Sequence, residues 1–120
     1  MDEIQIPISV GELLDKISIL SIKSQYITNE YVSKELQDLI SIAKKHQVYD
    51  DSYLTKLFQV NQKLWKIEDD LRVLEKSQTF HQEFIDLARS VYITNDLRAS
   101  IKKQINNKYK SLYSEVKIYK

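Results

Sequence analysis

Side chains that could bind a small charged ligand recur beside apolar positions on three predicted helices. They lie on the first, third and fourth helices of the chain: Lys16, Trp65, Glu68, Arg72, Arg89, Tyr92 and Asn95. Arginine and lysine held in a low-dielectric site bind carboxylate and phosphate groups well. We therefore predict that these side chains meet in one partly buried pocket, whose ligand would be a nucleotide, a sugar phosphate or a carboxylate.

The same positions also have a purely structural interpretation. Glu68 and Arg72 are four residues apart, which is the spacing of an ordinary ion pair on the surface of a helix. Trp65 would then be a core aromatic residue. The sequence leaves both interpretations open, so we expect a non-enzymatic binding or accessory protein and keep other functions as alternatives.

One alternative is a small helical enzyme. Glu12 and Asp15 share a helix face, as do the carboxylate pairs that hold Mg²⁺ in all-α nucleotide hydrolases, but Glu68-Asp69-Asp70 lacks the spacing of a second pair. A chorismate-mutase-like enzyme would instead need cations from several helices around one pocket. With one glycine and no cysteine, neither a glycine-rich phosphate loop nor a thiolate site is available. We predict no metal and no cofactor.

Another alternative is nucleic-acid binding by the C-terminal segment. Between Arg98 and Lys120 the chain has seven basic residues and one acidic residue, a net charge of +6, interleaved with tyrosines. Basic groups beside stacking aromatic rings suit single-stranded nucleic acid. A solvated basic helix end, favoured by the helix dipole, explains the same pattern.

The elements that must position these residues are helices. The only glycine is Gly11 and the only proline is Pro7, although sheets and tight turns use both residue types often. A chain of 120 residues fits one domain, which we assign to residues 1–120. We predict an all-α bundle of about four helices, with two long antiparallel helices.

Four helices follow from capping residues and from apolar spacing. The capping box at Ser9–Glu12 begins a helix that runs from about residue 10 to Tyr26. Thr28-Asn29 caps a second helix that fades near His46, and Asp50, Asp51 and Ser52 can cap a third. The third has an unbroken heptad seam of Leu57, Val60, Leu64, Ile67, Leu71 and Leu74. A second capping box at Thr79–Gln82 predicts a fourth helix over Phe80–Asn107.

The two termini alternate between apolar and polar residues. This period of two predicts short strands at Ile4–Ile8 and Val116–Ile118, which could pair as a two-stranded ribbon. The N-terminus is acidic, and no apolar run is long enough to span a membrane, so we expect a cytoplasmic protein. Because the first helix is apolar on several sides and the third carries a full seam, we also predict a homodimer.

Several segments resemble a family of small helical bacterial proteins of unknown function. The similar stretches are Ile8–Leu20, Leu64–Arg72, Phe84–Arg98 and Glu115–Tyr119. Members of that family are loosely associated with glycosyltransferase and surface-polysaccharide genes. The resemblance implies a context and a glycosyltransferase-type protein partner, but it assigns no catalytic residue.

Overall fold

The computed structural model describes residues 3–116, and within them the chain forms four α-helices and no strand. They are α1 (Val10–Tyr26), α2 (Glu30–Lys45), α3 (Asp51–Lys76) and α4 (Gln82–Lys108). The long helices α3 and α4 form an antiparallel hairpin, and α1 packs against all three other helices. The predicted all-α bundle is therefore confirmed.

Three predicted helix caps form as the sequence indicates. The Ser9 hydroxyl accepts a hydrogen bond from the Glu12 N–H at 3.1 Å, and the Asn29 side chain accepts from two N–H groups of α2. Asp50 accepts from the Tyr53 N–H at 3.2 Å. These bonds satisfy N–H groups that have no partner within a helix, and they fix where α1, α2 and α3 begin.

The second predicted capping box, at Thr79–Gln82, is wrong. The chain leaves α3 through Gln78 in the left-handed region at φ 57°, and the Thr79 hydroxyl bonds to Ser77 within that turn. Thr79 therefore cannot cap α4, which begins at Gln82 with no side-chain cap from His81. The fourth helix starts two residues later than predicted and ends one residue later, at Lys108.

The predicted N-terminal strand is also wrong. Residues 4–8 form no strand, and Ile4 and Ile6 are 85% and 71% exposed. A two-stranded ribbon is marginal unless it packs on a core, and these two side chains lie largely in solvent. Of the other predicted strand, Val116 is in no strand, and Ile118 lies outside the described residues.

The core lies at one end of the hairpin, where α1 covers it. Leu14, Leu57 and Ile105, from three helices, are completely buried. Along the α3 seam Leu57, Val60 and Ile67 are buried, but Leu64, Leu71 and Leu74 are only half-buried. The predicted seam is thus buried at three of its six positions and half-buried at the other three.

Asp50, which lies between α2 and α3, links the start of α3 to the end of α4. Its carboxylate accepts hydrogen bonds from Lys108 at 2.7 Å and from the Tyr109 hydroxyl at 2.6 Å. Burial raises the pKa of Asp50, but these bonds and that from the Tyr53 N–H outweigh it and hold the pKa at about 2. The N-cap of α3 therefore also anchors the C-terminal end of α4.

At Gly11, the backbone of α1 lies directly against α4. Its N–H donates to the Asn106 side-chain oxygen at 2.7 Å, and a Cβ at this position would lie 2.7 Å from the carbonyl oxygen of Lys102. No ordinary Cβ contact is that short, so a larger residue would push the two helices apart. Glycine is needed here because of the space, since its φ is an ordinary helical one.

Gly11→Ala should therefore destabilise the protein, even though alanine is the better helix former by about 1 kcal/mol. We expect the free energy of unfolding in urea to fall by about 1–3 kcal/mol, the usual cost of overpacking. Gln25→Ala, at an exposed position of the same helix, should change it little. A Gly11→Ala protein as stable as the wild type would show that α1 and α4 do not approach this closely.

Candidate functional site

A buried ion pair joins α1 to α4 in the middle of the bundle. Asp15 is completely buried, and both of its carboxylate oxygens accept hydrogen bonds from the Arg98 guanidinium. Nε of Arg98 lies 3.0 Å from Oδ1, and Nη2 bonds to Oδ2. From α3, the Asn61 side-chain amide donates to Oδ1 at 2.8 Å. The carboxylate is therefore held by two other helices.

The local sequence explains why these partners meet. Asp15 follows Leu13 and Leu14 on a helix that is buried on several sides, so its charge must find partners inside the bundle. On α4, the apolar face is interrupted between Val91 and Ile101, and Arg98 lies within this polar gap. The hydrogen bond from Arg98 to Asp15 raises the pKa of the guanidinium, which stays charged.

The network extends to both ends of the chain through Lys102. The Lys102 ammonium lies 2.7 Å from Glu12 and 3.0 Å from Glu115, and 3.9 Å from Asp15. Burial lowers the pKa of Lys102, but its hydrogen bonds to Glu12 and Glu115 outweigh this and raise it. The carboxylates of Glu12, Asp15 and Glu115 thus balance the charges of Arg98 and Lys102.

A cleft of about 450 Å³ opens beside this ion pair, between α1, α3 and α4. Apolar and polar side chains line it together: Ile19, Ile22, Asn61, Leu64, Trp65, Glu68, Asp69, Arg72, Asn95 and Arg98. A second hollow of about 400 Å³ continues from it toward the tip of the hairpin and shares Glu68 and Arg72. The volume of the cleft is in the range of small-molecule sites.

Trp65 forms the aromatic part of the cleft. Its ring stacks on Tyr26, the last residue of α1, with ring centroids 5.0 Å apart and the planes inclined by 6°. Stacked aromatic rings hold each other in a fixed orientation. The last residue of α1 therefore orients Trp65, while Ile19 and Ile22 of the same helix line one side of the cleft.

Four of the predicted site residues line this cleft, and three do not. Trp65, Glu68, Arg72 and Asn95 are brought together. Lys16 instead points toward α2, where its ammonium lies 4.0 Å from Glu35.

Arg89 and Tyr92 are the other two predicted residues outside the cleft. Each residue of a helix turns the direction by about 100°, so Tyr92 and Arg89 lie about 60° and 120° away from Asn95 around α4. Both are exposed, and neither belongs to the lining. Sequence spacing placed them beside an apolar stripe, but it did not say which stripe faces α1.

The ion pair itself was missed as a site element. From the sequence, Asp15 is interpreted only as half of a carboxylate pair with Glu12, and Arg98 only as part of the polar gap and of the basic C-terminal segment. A signal was present, because an acidic residue among Leu13, Leu14 and Ile17 needs a cation, and the gap on α4 contains one. Asn61 carried no comparable signal, because an amide beside a heptad seam is common on helix surfaces.

The structure also bears on metal binding, on the basic C-terminal segment and on membrane spanning. In the part of the chain that the structure describes, no cluster of three or more His, Asp or Glu side chains could hold a metal ion. Of the basic residues, Lys102 is buried in the network, Lys108 is paired with Asp50, and Lys117 and Lys120 lie outside the described residues. None of the four described helices is both long and apolar enough to cross a membrane.

The fold and the cleft define a small helical-bundle protein with a candidate ligand site beside a buried ion pair. The chain belongs to the family of unknown function DUF6165, whose model matches residues 4–120. Among curated proteins and among solved structures, none matches the chain. The resemblance to a family of unknown function is thereby confirmed, while its link to glycosyltransferases and surface polysaccharides stays a prediction.

Asp15→Asn tests whether the buried pair holds the bundle together. It removes the charge that Arg98 and Lys102 face, and breaking one side of a buried pair costs about 3–5 kcal/mol. We expect a loss of that size in the free energy of unfolding, measured by chemical denaturation at neutral pH. Asp38→Asn is the matched control, because the Lys34–Asp38 pair is 77% and 58% exposed and should contribute about 0.5 kcal/mol or less. Equal losses for the two variants would contradict this role of Asp15.

Proposed function

We propose that this protein is a non-enzymatic accessory protein that binds a small organic anion, of the sugar-phosphate type, in the cleft between α1, α3 and α4. The observation that carries the proposal is the presence of two guanidinium groups, Arg72 and Arg98, in one cleft with a tryptophan. Guanidinium groups bind phosphate and carboxylate with paired hydrogen bonds. A surface-polysaccharide context, with a glycosyltransferase-type protein as partner, fits such a ligand.

Arg98 is held in place before any ligand arrives. Its Nε and Nη2 atoms bind Asp15, which fixes the plane of the guanidinium. The side chain is still 27% exposed on the side of the cleft, and a guanidinium has five N–H donors, so donors remain for a ligand. Little conformational entropy is lost when a group that is already ordered binds an anion.

The acidic residues restrict which anions fit. Glu68 and Asp69 line the same cleft as the two arginines, so a ligand that is negative on every side would be repelled. Carboxylates accept hydrogen bonds from hydroxyl groups. A ligand with an anionic group at one end and hydroxyl groups at the other satisfies both kinds of residue, as a sugar phosphate does.

The lining also favours binding over catalysis. None of the ten side chains that line the cleft in the described part of the chain is a Ser, Cys, His or Lys. Nucleophiles of the Ser, Cys and Lys type are therefore lacking in this lining, and Glu68 and Asp69 are its only groups able to act as acid, base or nucleophile. The groups present are those that orient a ligand: two guanidiniums, two carboxylates, two amides and the Trp65 ring.

Arg72→Met tests the proposal directly. We expect glucose 1-phosphate to raise the melting temperature of the wild-type protein by mass action, by an amount equivalent to about 2.7 kcal/mol at 100 times its Kd. Arg72→Met should weaken binding at least about tenfold, since a charge-assisted bond contributes roughly 1.5–3 kcal/mol. Calorimetric titration of both proteins measures this.

Lys63→Met is the matched control, because it removes a positive charge from an exposed position of the same helix, outside the cleft. This control should change the affinity for glucose 1-phosphate by no more than about twofold, because salt screens a charge on the protein surface. Equal weakening by Arg72→Met and Lys63→Met would show that the anion binds by overall charge and not in the cleft. No binding of glucose 1-phosphate, UDP-glucose or succinate to the wild type would contradict the proposal.

A further inference from the structure

The outer side of α4, which faces away from the cleft, exposes an apolar patch that nothing within the described chain covers. Four large apolar residues lie within 13 positions of this helix, each about half exposed: Ile85 at 48%, Tyr92 at 55%, Ile93 at 54% and Leu97 at 53%. Apolar surface concentrated on one side of a helix is typical of a protein contact. We call this surface, together with Arg89 and Asp96, the outer face of α4.

We propose that the outer face of α4 is the contact surface of a symmetric homodimer, in which α4 packs antiparallel against α4 of a second copy. This goes beyond ligand binding, because the cleft lies on another side of the same helix. In a dimer with two-fold symmetry, both subunits use the same surface patch. Such a contact therefore requires a patch that is complementary to a second copy of itself.

The charged residues of this face, Arg89 and Asp96, are placed so that each can meet the other in a second copy of the chain. If the two-fold axis passes between positions 92 and 93, Tyr92 of one copy lies opposite Ile93 of the second. The same axis brings Arg89 opposite Asp96, and it does so twice, once on each side of the apolar centre. A parallel arrangement would instead place Arg89 opposite Arg89, which is repulsive.

The ends of α4 complement each other in the same arrangement. The first half of the helix carries Asp86 and the second half carries Lys103, both exposed. Under the two-fold axis Lys103 lies opposite Gln82 of the second copy, one helical turn from its Asp86. The apolar centre, flanked by opposite charges on both sides, matches the arrangement of stable helix–helix contacts.

This surface differs from the one that motivated the dimer prediction from the sequence. The apolar stripes of α1 are covered within the chain, since Leu13, Ile17 and Ile22 are buried. The exposed apolar residues of α4 supply the reason instead. Arg89 and Tyr92, which do not line the cleft, are central to this contact.

Sedimentation equilibrium of the full chain over a range of concentrations tests the proposal. The chain mass is 14.2 kDa, and the wild type should sediment with twice that mass at micromolar concentration. Ile93→Glu should raise the dissociation constant of the dimer at least about 30-fold, as at an interface hot spot. Ile42→Glu makes the same change at a 44% exposed position of α2 and should leave the dimer intact.

A charge exchange tests the antiparallel register. Arg89→Glu should weaken the dimer about tenfold or more, because it faces Asp96 with a like charge. Adding Asp96→Arg to the same chain restores opposite charges at both contacts and should recover most of the loss, with circular dichroism confirming helical content in each variant. A wild type that stays monomeric, a dimer that survives Ile93→Glu, or a double variant no tighter than Arg89→Glu would each overturn the proposal.

Discussion

The structure depends on the pairing of Asp15 with Arg98 inside the bundle. A buried carboxylate is tolerated only when its charge and its hydrogen bonds are matched, and Arg98, Asn61 and the nearby Lys102 provide this from two other helices. Apolar burial is non-directional, whereas the hydrogen bonds of this pair require one relative position of the two helices. It therefore sets the register of α1 against α3 and α4, and it holds one guanidinium at the edge of the cleft.

The remaining features follow from a difference in helix length. α1 has 17 residues, whereas α3 and α4 have 26 and 27, so α1 covers only one part of the hairpin. Where α1 ends, Tyr26 stacks on Trp65; beyond Trp65, Ile67 is still buried, but Leu71 and Leu74 are only half-buried. The cleft lies at this boundary because a core on one side meets an uncovered groove on the other.

The sequence predicted the helices well because capping residues and apolar spacing are local signals. It failed at Thr79 and at Ile4–Ile8, where a left-handed turn and the lack of a covering surface decided the outcome. For the site, Trp65, Glu68, Arg72 and Asn95 were predicted to be neighbours and line the cleft together. The sequence could not show that Lys16, Arg89 and Tyr92 lie outside the cleft. Spacing along a helix does not specify which neighbouring helix each stripe of residues faces.

Binding in the cleft is the central claim, and Trp65 offers a direct measurement because it is the only tryptophan. Its indole N–H gives a single signal in a two-dimensional nitrogen–proton NMR spectrum. During titration with glucose 1-phosphate, we predict that this signal and the Nε–H signal of Arg98 shift together and saturate at one Kd, while α2 is unaffected. Shifts confined to the exposed lysines of the C-terminal end, such as Lys103 and Lys110, with an unchanged Trp65 signal, would contradict the account.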